Sequence, residues 1–226
     1  MTEFKPPASR RSRKTRRVRA TTGARREELV RIAQRLIADH GLEGFRTRQV
    51  AAHAGIDTGT LHYHFPSKES LVQAVVESLA DDFRVNRARS TEEPATALDE
   101  LRREFMDAAL RVQTTPQQIR VLFELRVRSY RDAAIAAMLK QIDRSWNSSV
   151  AAIVTRGQQQ GVVRPDVQAE TVASVIRTQI EGLGVRGLAD PTQVEEIAMA
   201  LYRQLETWLA VARKADPGGQ KHDRRR

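Results

Sequence analysis

The amino-acid sequence predicts an all-α fold of about nine helices that opens with a three-helix head. Three observations carry this. Apolar residues recur at helical spacing along most of the chain, and no run alternates with the period of a strand. Residues 47–68, TRQVAAHAGIDTGTLHYHFPSK, read as two short helices around a tight turn, a helix-turn-helix.

A first helix is expected over residues 25–40, where Leu29, Ile32, Ala33, Leu36 and Ile37 share one face and Gly41 stops it. Thr47 is the expected N-cap of the second helix, with Arg48 and Gln49 exposed in its first turn. Val50, Ala51 and Ala54 give that helix its inner face. Gly55 stands where the chain reverses, because glycine enters positive φ without steric cost. Asp57 is placed to cap the third helix through a side-chain oxygen, and Leu61 and Phe65 plug that helix into the core. Thr58, Gly59, Thr60, His62, Tyr63 and His64 are left facing outward. They are short or flat, and suited to hydrogen-bonding base edges and phosphates. Pro66 and Ser67 break the chain before a fourth helix from Lys68 to about Arg87. At ~1.5 Å per residue it is long enough to run from the head into a second domain. STEEP at 90–94 marks a boundary. Further helices are expected over about 94–113, 116–130, 132–160, 167–187 and 191–213, with GVVRPD as a tight turn before the last two.

The run LHYHFPSKESL, with helices on both sides, resembles the tetracycline-repressor (TetR) family over residues 25–85. The resemblance implies a DNA-binding head over 25–85 and a helical ligand-binding and dimerisation domain over 86–214. It implies a homodimer through helices 8 and 9, double-stranded operator DNA as partner, and a small-molecule effector that releases it. The DNA contacts are expected from Thr47, Arg48, Thr58, Thr60, His62, Tyr63, His64 and Lys68, the last matching the family's phosphate-contacting lysine. The family usually has Tyr where this chain has His62, so the phosphate contact implied there is either lost or made pH-sensitive. Gly182, Gly184 and Gly187 would let the eighth helix approach a neighbour closely, and Leu201 and Leu205 are candidate interface positions.

The net charge of +10 is concentrated at the ends. Residues 1–26 hold ten Lys/Arg and one acid, and residues 213–226 hold six Lys/Arg and two Asp, so the body between them is mildly acidic. Such extensions suit a polyanion, nucleic acid first. Residues 1–24 and 215–226 have little to bury and are expected to be disordered basic arms. There is no cysteine, no apolar run near the roughly 20 residues needed to span a bilayer, and no secretory signal, which predicts a cytoplasmic protein without membrane contact.

Catalysis is not expected. His62 and His64 lie two residues apart, so on a helix they point about 200° apart and cannot share one ion. No HExxH, Gly-rich phosphate loop, GxSxG or paired-carboxylate constellation occurs, and no cofactor is implied. In the second domain, Phe105, Phe123, Tyr130 and Trp146 take a large share of the few aromatics. Arg126 lies one turn from Phe123 and Tyr130. A charge among aromatics is costly unless paired, so Arg126, with Gln179, is either the polar anchor of an effector pocket or a rim residue paired to an acid such as Glu124 or Asp132. The favoured function is a homodimeric repressor released by its effector. The rival is an architectural DNA binder that uses the basic arms and has no effector.

Overall fold

A computed structural model describes residues 10–88 and 95–211. Among them nine α-helices occur and no strand, apart from one isolated antiparallel bridge between Val163 and Ala210. The helices are α1 (Arg10–Gly44), α2 (Thr47–His53), α3 (Thr58–His64), α4 (Lys68–Ala88), α5 (Ala97–Thr114), α6 (Pro116–Ser129), α7 (Ala133–Gln159), α8 (Ala169–Ala189) and α9 (Val194–Leu209). None is long and apolar enough to cross a membrane.

The chain divides into two compact units, one of residues 1–89 and 115–143, the other of 90–114 and 144–226. The domain boundary expected near residue 86 is therefore not a single cut. Helix α6 and the start of α7 pack with the head, because Val121, Leu125, Ile135 and Leu139 share one core with Leu29, Ile37, Leu71 and Val75.

In the first unit, α1 begins at Arg10, fifteen residues before the expected start. The arm's residues 10–24, expected to be disordered, thus have helical backbone, and residues 1–9 lie outside the described ones. The stretch 10–22 holds no Pro or Gly and is rich in Arg, a good helix former. Gly41 (φ 68°, ψ 166°) breaks the helix as expected, a conformation open to glycine. The break frees the Leu42 N–H, which donates to Glu124 Oε2 at 3.2 Å. Helix α6 buries Ile119, Val121 and Leu125, whereas Val127 and Tyr130, expected on the inner face, are 68 % and 85 % exposed. Leu125 sits between Glu124 and Arg126, so its place in the buried stripe is hidden by charged neighbours. Tyr130 is the C-cap of α6.

In the second unit, α5, α8 and α9 pack on one another. The inner face of α5 is Leu101, Phe105, Ala108, Ala109 and Val112, and that of α9 is Val194, Ala198, Tyr202, Leu205 and Leu209. A Cβ at Gly187 would lie 2.5 Å from Val112 Cγ1 and 3.0 Å from Val194 Cγ2. The close approach expected of this glycine is thus made within the chain. Leu205 is likewise core at 2 % exposure, while Leu201 remains half-buried.

Candidate nucleic-acid interface

The head builds an outward-facing helix by fixing its opposite side. Gly55 (φ 64°) reverses the chain after α2, and the Ile56 N–H closes the turn onto Ala51 O at 3.0 Å. Asp57 caps α3 as expected. Its Oδ1 accepts the Thr60 N–H at 2.8 Å, its Oδ2 accepts the Thr60 hydroxyl at 2.7 Å, and these bonds hold its carboxyl below the usual carboxylate range. Leu61 and Phe65 are 2 % exposed and pin the helix to the core. The Arg26 guanidinium lies 4.6 Å from the Phe65 ring centre, tying α1 to the end of α3.

What remains outward is the predicted set. Thr58, Gly59, Thr60, His62 and Tyr63 are exposed, Tyr63 to 79 %, and His64 is half-buried with its ring edge-on to Tyr63 at 5.3 Å. Thr60 has spent its hydroxyl proton on Asp57 and presents only its acceptor face. His62 Nδ1 lies 3.3 Å from Pro66 O, within reach to donate to that carbonyl.

Two expectations at the flanks change. The N-cap of α2 is Arg46, not Thr47, which is the first helical residue. Gln49, the third residue of α2, reaches back so that its Oε1 accepts the N–H of the cap residue Arg46 at 2.9 Å. Arg48 is exposed beside it. Lys68 is already engaged: its ammonium donates to Leu42 O and Phe45 O, both at 3.0 Å, and sits over the Phe45 ring. Burial, then the neighbouring Arg46 and Arg128, pull its pKa below the usual lysine value. Of three ammonium protons, one is left for a phosphate.

The six residues predicted to line an effector pocket divide between the units: Phe123, Arg126 and Tyr130 in the first, Phe105, Trp146 and Gln179 in the second. Arg126 is paired, but to neither expected acid. Its Nη1 and Nη2 donate to Asp143 Oδ2 and Oδ1 at 2.6 and 2.9 Å, joining α6 to α7. Asp132 instead accepts the N–H groups of Ala134 and Ile135 at the start of α7. Phe123 is half-buried. Phe105 is fully enclosed against Tyr202. The Trp146 indole donates to Glu104 at 3.2 Å, and Glu104, a carboxylate only 5 % exposed, is absent from the sequence-based set. Its place among Leu101, Phe105 and Ala108 on the inner stripe of α5 was the available signal. The Gln179 amide oxygen is buried without a hydrogen-bond partner.

Two family profiles match this chain. That of bacterial regulatory proteins of the tetR family covers residues 29–75, and that of the C-terminal part of BetI-type transcriptional repressors covers residues 97–212. The chain belongs to the TetR family. The transcriptional repressor KstR2 of Mycolicibacterium smegmatis is 28 % identical to this TetR-family protein over 155 residues, covering 68 % of this chain and 75 % of KstR2. A transcriptional regulator from Saccharomonospora viridis, solved in complex with choline, superposes with a TM-score of 0.69 at 26 % identity, over 82 % of this chain and 97 % of that one. A TetR-family regulator from Rhodococcus sp. superposes with a TM-score of 0.71 at 24 % identity, over 82 % and 98 %. The chain is thus a DNA-binding transcriptional regulator, and the relatives named are transcriptional regulators too.

Proposed function

We propose that this TetR-family regulator is a homodimeric repressor that leaves its operator when a small molecule binds its second unit. The observation that carries the DNA reading is the two-sided α3, with Leu61 locked inside and Thr58, Thr60, His62, Tyr63 and His64 outward. In this reading those residues, with Thr47 and Arg48 at the start of α2 and the remaining proton of Lys68, meet the major groove and its flanking phosphates. Tyr63→Ala should weaken operator binding by about 1–3 kcal/mol. An unchanged affinity in a folded variant removes Tyr63 from the interface.

The dimer is assigned to α8 and α9. In support, Val185 and Trp208 stay exposed at 55 % and 37 %, and Ile197 and Leu201 are half-buried. Leu205, enclosed by its own chain, is not part of that face.

The effector reading rests on the second unit. Gln179 offers a buried acceptor that calls for an N–H or O–H donor, and Trp146 supplies an aromatic wall beside the Glu104 carboxylate. Arg126, for which the polar anchor of an effector pocket was one of two roles, is not proposed as that anchor, since Asp143 already pairs with its guanidinium. The choline complex of the Saccharomonospora viridis relative supports a small-molecule site in such a protein. An effector found by thermal-shift screening should bind the operator complex more weakly than the free protein, by the same factor as it weakens operator binding. Equal affinity in the two titrations overturns the release mechanism.

A further inference from the structure

The first unit contains a groove of about 320 Å³ whose lining the DNA reading touches only at Lys68 and the effector reading not at all. It lies among the end of α1, the first turns of α4 and α7, and the end of α6. That volume is at the lower end of the roughly 300–1,000 Å³ typical of small-molecule sites. Leu42, Val72, Ile135 and Met138 give it an apolar wall. Three of these, Leu42, Val72 and Ile135, are nearly inaccessible from outside, so the wall belongs to the core and does not collapse into the groove.

The polar groups on the rim are unequal. Asp132 spends its Oδ1 on the Ala134 and Ile135 N–H groups at 3.1 and 3.2 Å. Glu69, in the first turn of α4, is held by its own N–H and by Ser67. Both carboxylates sit in or beside the first turn of a helix, where the N-terminal dipole offsets their charge. The cations keep unspent donors. Arg128 gives one hydrogen bond, from Nη1 to Glu43 Oε1 at 2.8 Å, and its Nε lies 3.7 Å from Asp132 Oδ2. A guanidinium has five N–H donors, and Lys68 keeps one of its three. The Glu43 side chain is 83 % exposed, and so exposed a partner is cheaply exchanged.

We propose that this groove binds a small monocarboxylate with an apolar tail. The carboxylate takes the Arg128 fork, displacing Glu43, and the tail lies along Val72, Ile135 and Met138. The Arg128–Glu43 pair links α6 to the end of α1, so an occupant would act on the segment that carries the head. The site is separate from the effector site assigned to the second unit, and its test reads binding alone, so either can fail without the other.

The test is calorimetric titration of the full-length protein with octanoate, octylammonium and acetate. Octanoate should bind, acetate far more weakly, and octylammonium not at all. Arg128→Gln should weaken octanoate by about tenfold or more, through loss of charge-assisted hydrogen bonds. Ala134→Trp, which fills the groove from the exposed first turn of α7, should abolish binding. If one variant fails to fold by circular dichroism, the other decides. Absence of octanoate binding, octylammonium binding as tightly, or octanoate affinity unchanged in a folded variant each overturns the assignment.

Discussion

Phe105→Ala is expected to lower folding stability by about 3–5 kcal/mol, the range for emptying a large aromatic from a closed core. Phe105 is 0 % exposed, and its ring meets Tyr202 at 6.4 Å with a 58° tilt. Such an aromatic pair adds about 0.5–1.5 kcal/mol beyond its buried area. The cavity would open between α5 and α9, whose inner faces form the centre of the second unit. Tyr202 cannot easily move in to fill it, because its hydroxyl donates to Glu206 Oε1 at 2.9 Å across one turn of α9. Urea unfolding at matched protein concentration should show a lower midpoint with an unchanged slope. A loss below about 1 kcal/mol would mean that the ring lines a space able to rearrange, and Phe105 would return to the effector site.

The second large effect falls on DNA. Deleting residues 1–22 removes eight Lys/Arg and one acid. Each phosphate contact contributes about 0.9 to the log–log dependence of affinity on salt, so losing four contacts would lower that slope by about 3.6. Affinity should fall most at low salt. Folding stability should hardly change, because residues 1–22 carry almost nothing apolar to bury. An unchanged slope in the truncated protein would leave the arm without a role in binding.

Local chemistry made the head legible. The turn at Gly55, the Asp57 cap and the Leu61 and Phe65 plugs all depend on residues within a few positions of one another, and all appear where their spacing puts them. Misreadings arose where a partner is distant in sequence. Arg126 finds Asp143 17 residues on, and Lys68 finds the Leu42 and Phe45 carbonyls 26 and 23 residues back, through a fold that no local pattern encodes. In α6 the hydrophobic stripe is ambiguous. Val127 and Tyr130 fit one helical face and Val121 and Leu125 another, and packing against α1 selects the second. Gly187 and Leu205 were read correctly as contact residues, but the contact lies inside the chain. Thr47 shows a smaller version of the same limit: a good capping residue stood next to the cap, and a Gln49 side chain reaching back decided the start of α2.

In the proposed function this protein reads a particular DNA sequence as a symmetric pair of heads. The most direct measurement is selection of bound duplexes from a random pool by the full-length protein. It is followed by affinities for the selected and a shuffled duplex at about 0.15 M salt, near-physiological conditions under which surface charges are screened within ~8 Å. The expected outcome is a selected sequence of two inverted half-sites about 34–36 Å apart and a preference of about 10³-fold or more over the shuffled duplex. A ratio near one, with affinity set by salt alone, would contradict it and identify an architectural binder that holds DNA by its basic arms.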